Sequence, residues 1–257
     1  MAVTVVSGSR GTATEKTSDQ TLALTPSGTL SVGNYGLLFV VIDNTGTAEG
    51  QTTDVSATDT VGNTWTRVRE QTEANTAALT GATVACLVAE IEFALGASNS
   101  VNIALAANAT AKGAGLAEVS VGAGKVLNTT QHEGTNEAAA TSYSVFLSGL
   151  ASEERLYIGM AGAEEEVDTA VTLDAAYAEI GFGSIGSGTA GLAITNVRAR
   201  VGTLSETSTG QTFDATGLTS ADRATILIAL EEDDAPVPPP TVPASPPPFR
   251  LGRGSGW

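Results

Sequence analysis

Histidine and cysteine each occur once in this chain, as His132 and Cys86. A single cysteine excludes an internal disulfide. One residue of each kind is also too few for a zinc centre of the His/Cys type. Cys86 sits in the apolar run Val84-Ala85-Cys86-Leu87-Val88, which reads as a core strand. His132 lies in Thr129-Thr130-Gln131-His132-Glu133-Gly134, which reads as a loop. A nucleophile–base pair built from these two is therefore disfavoured. Aromatic residues are only 5 % of the chain. The clefts of glycan-cleaving enzymes are usually lined with aromatics around their paired carboxylates, so an enzyme of that kind is a distant third reading. No stretch approaches the roughly 20 apolar residues of a membrane span. The N-terminus, Met1-Ala2-Val3-Thr4-Val5-Val6, lacks a basic region followed by an apolar one. These absences suggest a protein made in the cytoplasm without a membrane partner.

Positive charge is also scarce. Twelve Lys and Arg face 28 Asp and Glu, for a net charge of −16. No acid follows Asp234, so the body is more acidic than the whole and the tail carries only Arg250 and Arg253. Such a body repels nucleic acid phosphates, and no nucleic acid partner is expected. Glycine-rich segments such as Gly181-Phe182-Gly183-Ser184-Ile185-Gly186-Ser187-Gly188 are not followed by Gly-Lys-Ser/Thr. A phosphate-binding loop is not supported, and no cofactor is implied.

What is present points to β-structure. Ala, Thr, Gly, Ser and Val dominate, and about a dozen strand-like runs recur between turn signals. Thr21–Thr25, Val101–Leu105 and Tyr143–Leu147 alternate apolar with polar. Leu37-Leu38-Phe39-Val40-Val41-Ile42 is apolar on both faces, as for a central strand packed on both sides. Arg155–Met160 and Ala224–Leu230 are too apolar for exposed edges and belong inside a sheet. Val55–Thr58 and Thr64–Arg69 flank Asp59-Thr60-Val61-Gly62-Asn63, a hairpin connection with Gly-Asn supplying positive φ. No helical period is sustained over three turns, and Ala138–Ala140 is the best place for one helical turn. The expected fold is all-β: an antiparallel two-sheet sandwich spanning residues 1–234.

Asp54, Asp59 and Asn63 cluster near one turn, and Glu164-Glu165-Glu166-Val167-Asp168 is a dense acidic run. Neither matches a calcium loop, so no metal is assigned. Asp59 is expected to cap its turn through backbone amides, Trp65 to pack beside it in the core, and the Glu run to be a solvated loop.

Proline is nearly absent from the body, where Pro26 stands alone, and eight more fall between Pro236 and Pro248. Residues 235–257 therefore read as an extended arm reaching on the order of 70 Å when stretched. The prolines are the spacer. Phe249, Arg250, Leu251, Arg253 and Trp257 are the candidate partner-binding residues, with Trp257 as an aromatic anchor and the arginines steered to acidic surfaces.

Gly36-Leu37-Leu38-Phe39-Val40-Val41 followed by Thr58-Asp59-Thr60-Val61-Gly62-Asn63-Thr64-Trp65-Thr66 resembles a family of jelly-roll-like β-sandwich proteins common in bacteriophages. Ser98-Asn99-Ser100-Val101-Asn102-Ile103 and Leu116-Ala117-Glu118-Val119-Ser120 are similar to later segments of that family. The resemblance covers roughly residues 3–232, and the Asp-x-x-Gly-Asn-Trp-Thr segment is its most specific part. It implies a non-enzymatic virion structural protein, as a capsid decoration or head appendage or on the tail. The implied partners are other virion proteins and copies of itself, a trimer by analogy. The alternative is a carbohydrate-binding adhesin module reading host glycans, which exposed Tyr35, Tyr143 or Tyr177 would favour.

Overall fold

Strand β3 (Tyr35–Asp43) is buried along its whole length, and its two faces explain the layering of the molecule. Leu37, Phe39 and Val41 point into one core, while Leu38, Val40 and Ile42 point into another. A strand with two apolar faces requires a sheet above it and a sheet below it. The computed structural model describes residues 3–43, 48–73, 81–164, 171–187 and 196–236, without the side chains of 138–140 and 217–221. Among them are thirteen strands and no helix.

The middle layer is a five-stranded sheet in the order β1-β8-β3-β6-β5. It joins β1 (Thr4–Glu15), β8 (Lys112–Ser120), β3, β6 (Ala82–Glu90) and β5 (Thr66–Thr72). On one face lies a three-stranded sheet, β2-β7-β4, made of β2 (Asp19–Leu24), β7 (Val101–Ala109) and β4 (Val55–Asp59). Leu22, Leu24, Val101, Ile103 and Leu105 enter this outer core by simple alternation.

On the other face lies a sheet built mainly from two long antiparallel strands, β9 (Lys125–Glu164) and β13 (Val197–Asp234). Each runs through several segments. Residues 223–230 of β13 pair with the first part of β9 on one side and with 156–163 on the other. Residues 153–164 pair in turn with 197–208, and short strands β11 (Ala178–Glu179) and β12 (Ile185–Ser187) extend that edge. The inner core between this sheet and the middle one contains Val84, Cys86, Ile158, Met160, Ile226 and Ile228.

A fourth, partial layer covers the outer face. Residues 142–148 pair with 210–216, and β10 (Thr172–Leu173) pairs beside them. Tyr143, Val145, Leu147 and Phe213 from this ribbon pack on Tyr157, Ala161 and Leu227. Phe213 lies flat over Gly159, where a Cβ would stand 2.3 Å from the ring.

Several expectations are met. The fold is all-β and antiparallel, and β2, β7 and Tyr143–Leu147 alternate. Ala224–Leu230 lies inside a sheet, paired on both sides. Three need correction. The sandwich has three sheets where two were expected, because β3, β6 and β8 are apolar on both faces. The segments flanking Asp59–Asn63 are not a hairpin, since β4 pairs with β7 in the outer sheet and β5 with β6 in the middle one. Ala138–Ala140 forms no helical turn and continues β9, with Ala140 opposite Ala221. Residues 188–195, before β13, lie outside the described residues.

Candidate functional site

The connection from β4 to β5 crosses between two sheets, and Asp59 organises it. Its Oδ1 accepts from the backbone N–H groups of Val61, Gly62 and Asn63 at 3.0, 2.7 and 3.1 Å. Its Oδ2 accepts from Asn63 Nδ2 at 2.9 Å and Trp65 Nε1 at 3.0 Å. Burial works to raise this carboxyl, but the bonds from Asn63, Trp65 and the turn amides outweigh it and hold Asp59 below the usual range. Gly62 supplies the positive φ, at 98°. Asn63 reaches onward to clamp Phe93, donating to its carbonyl at 3.0 Å and accepting from its N–H at 2.8 Å. Trp65 is buried in the outer core. The expected cap and the expected core tryptophan are both present. With five donors already on Asp59, a calcium ion there would have to displace protein hydrogen bonds.

Glu118, the acid of the second resembling segment, is also structural. It is fully buried and accepts from Arg10 Nε at 2.7 Å, the Ser31 N–H at 2.8 Å and Asn34 Nδ2 at 2.6 Å. Burial pushes its carboxyl up, and the bonds from Asn34, Ser31 and Arg10 bring it below the ordinary value. These donors tie β1 and the connection before β3 onto β8.

The burial of two acids was not forecast from the sequence. Asp43, the last residue of β3, is fully buried, and neither carboxylate oxygen has a hydrogen-bond partner. It continues the inner-face parity of Leu37, Phe39 and Val41. Glu164, the last residue of β9, continues the parity of Ile158 and Met160 and is 5 % exposed. Its Oε2 accepts from the Gly81 N–H, next to Ala82, the residue paired with Asp43; its Oε1 has no partner. Burial raises Asp43 to about 8, helped by the charge of Glu164. Burial raises Glu164 to about 7 against the Gly81 hydrogen bond, with Asp222 adding to the rise. Glu164 was expected in a solvated loop, and that is corrected: it closes a buried strand. Residues 165–168 of the same run lie outside the described residues. The signal available was parity, since both acids sit one step beyond an apolar alternation.

Cys86 is in the inner core, as expected, and burial pushes its thiol up. His132 is corrected from loop to strand, paired with Ile228 in β9–β13. Burial and the charge of Arg69 lower its pKa. Tyr35, Tyr143 and Tyr177 are 7 %, 3 % and 5 % exposed, so none offers a face to a sugar. Among the described residues, no group of three or more His, Cys, Asp or Glu could hold a metal. No helix there is long and apolar enough to cross a membrane.

The arm's candidate contacts Phe249, Arg250, Leu251, Arg253 and Trp257 lie outside the described residues, but its root does not. Lys125 Nζ pairs with Asp234 Oδ1 at 2.6 Å, and the Ala235 N–H donates to the Gly124 carbonyl at 3.1 Å. Beside this root is a cleft of about 210 Å³ lined by Lys125, Glu153, Glu154, Glu231 and Glu232. A second cleft, about 270 Å³, involves Tyr35, Thr64, Thr66, Glu90 and Glu92. Neither Asp43 nor Glu164 lines these clefts. No family model, curated protein or solved structure matches the chain.

Proposed function

We propose that this chain is a non-enzymatic structural protein of a bacteriophage particle, a capsid decoration or head appendage or a tail-associated subunit. Residues 235–257 hold it to the particle. The observation that carries this reading is the order of strands in the first two sheets. The succession β1-β8-β3-β6 over β2-β7-β4 interleaves early and late strands as a jelly roll does, with β5 moved onto the middle sheet. Jelly rolls serve in viral capsids and in lectins. The burial of Tyr35, Tyr143 and Tyr177 weighs against the glycan-reading member of that pair.

The residues behind the resemblance to phage proteins support the same side. Asp59, Asn63, Trp65 and Glu118 are consumed in holding the sandwich together, which suits a rigid building block. Among the described residues, the two acids that burial raises most, Asp43 and Glu164, lie in a core and line neither cleft. The arm departs from an anchored root at the end of β13, as a tether to a neighbouring copy or to the shell would. A polyproline segment is stiff before it binds, so docking costs little ordering entropy.

The test is imaging of purified particles carrying the labelled protein. Label at regular positions on the head or tail supports the reading. Particles devoid of the protein, made by cells that produce it in quantity, contradict it.

A further inference from the structure

The inner core ends, away from the arm root, in an arrangement that a well-satisfied sandwich does not need. Asp43 and Glu164 come from the middle and third sheets and approach one another where β3 and β9 end and β6 begins, with the Gly81 amide that bonds Glu164 next to Ala82, the partner of Asp43. Asp43 has two oxygens without partners and Glu164 has one. A buried ionised carboxylate without a hydrogen bond is too costly to persist, so the site must take up a proton or a cation.

The charges facing the pair say which. From β9's partner strand, Asp222 adds negative charge to Glu164. At the end of β5, Glu73 is itself raised by burial and by Glu49, Asp222 and Glu137. The cations nearby are committed elsewhere. Lys112 of β8, opposite Ile42, turns to the other face of the middle sheet, where its Nζ meets Asp19, the Thr17 carbonyl at 2.9 Å and Glu15 at 3.6 Å. Arg223 of β13 lies over the Tyr143 ring on the outer face, 5.4 Å from its centroid. Arg198 of β13 donates to the Gly186 carbonyl at 3.3 Å. Among the described residues no group of three or more His, Cys, Asp or Glu could hold a metal, and a proton neutralises a carboxylate without needing further ligands.

We propose that Asp43 and Glu164 form a proton-holding clasp between the middle and third sheets, closed while the pair holds a proton and opened locally when both ionise. The close fit around it makes the opening felt: Gly162, two residues before Glu164, would place a Cβ 2.3 Å from Val84 Cγ1. Ionisation separates the sheets at this end only. The arm root, at the opposite end of the third sheet, stays closed.

The direction follows from linkage. Both carboxyls are raised in the folded protein above their values of about 4 in the unfolded chain. Their contribution is fully present below pH ~4, falls as pH rises, and is gone above about 8. For each proton held, the unfolding constant rises about tenfold per pH unit inside that window. The test is the unfolding constant of the full chain from pH 5 to 9, for wild type, Asp43→Asn, Glu164→Gln and the double variant. His132, whose pKa burial and the charge of Arg69 lower, is common to all four proteins and cancels in the comparison. The expected result is a slope at least one proton steeper in wild type than in the double variant. Faster opening at the Gly81 amide should accompany it at high pH. Equal slopes overturn the proposal. If the variants do not fold, the infrared band of a neutral carboxylic acid in wild type at pH 6 decides: present supports the clasp, absent overturns it. Stabilisation by calcium at pH 8 that Asp43→Asn abolishes would make the pair a cation site and also overturn it.

Discussion

Replacing Asp59 by Ala removes the acceptor for five donors at the corner between the outer and middle sheets. The donors are not equal. The backbone amides of Val61, Gly62 and Asn63 make part-buried or exposed bonds and can turn to water, so they lose little. Trp65 Nε1 and Asn63 Nδ2 belong to buried residues, and a buried donor left unsatisfied costs about 1–3 kcal/mol. Asn63 keeps its bond to the Phe93 carbonyl, which places it at the low end. The sum is about 3 kcal/mol. For a chain of this size that is a fall in Tm of roughly 6–12 °C. Asp59→Asn should cost less, about 1–2 kcal/mol, because its oxygen still caps the turn while its amide confronts the Trp65 donor. A thermal double-mutant cycle with Trp65→Phe isolates the indole bond, and a coupling of about 1 kcal/mol is expected. Additivity within roughly 0.5 kcal/mol would refute the claim that Asp59 holds Trp65.

Three further predictions rest on the same packing. Glu118→Gln should destabilise by about 2 kcal/mol at neutral pH, as a buried charged acceptor is lost. The folded carboxyl is depressed, so the contribution is present above pH ~4.5 and lost as pH falls below that, and urea melts at pH 7 and 3 should show the penalty shrinking. Gly162→Ala should cost about 1–3 kcal/mol in chemical denaturation, since its Cβ would collide with Val84 between the sheets. Phe146→Ser, at a side chain 57 % exposed, should change the stability read from a thermal melt by less than about 0.5 kcal/mol and serves as the surface comparison.

The sequence made some of this architecture readable for local reasons. The double apolar face of Leu37–Ile42 announced a strand between two layers, and that feature alone implies a third sheet. The Asp59 cap was legible because an Asx turn needs only residues within a few positions of one another. Whether that turn closes a hairpin or bridges two sheets is not a local property. It depends on whether β4 finds β5 or β7, and the core decides that through Val55 and Trp65. The length of β9 was hidden by Ala138–Ala140, whose helical propensity yields to pairing with β13. Asp43 was hidden because it looks like an ordinary strand-end acid, and Glu164 because it opens an acidic run that reads as a solvated loop, until the other sheet is laid over each. The candidate contacts in residues 249–257 lie outside the described residues, and no pattern within one chain encodes a partner's surface.

The central claim is that the sandwich is a particle subunit and the arm is its tether. Particles assembled with the full chain and with the chain ending at Asp234 test it directly, by quantifying the protein in purified particles by mass spectrometry. The truncation falls just past the Lys125–Asp234 pair, so the body should keep its melting midpoint. The account predicts a folded, truncated protein that is lost from the particles. Truncated protein incorporated at the level of the full chain would contradict it.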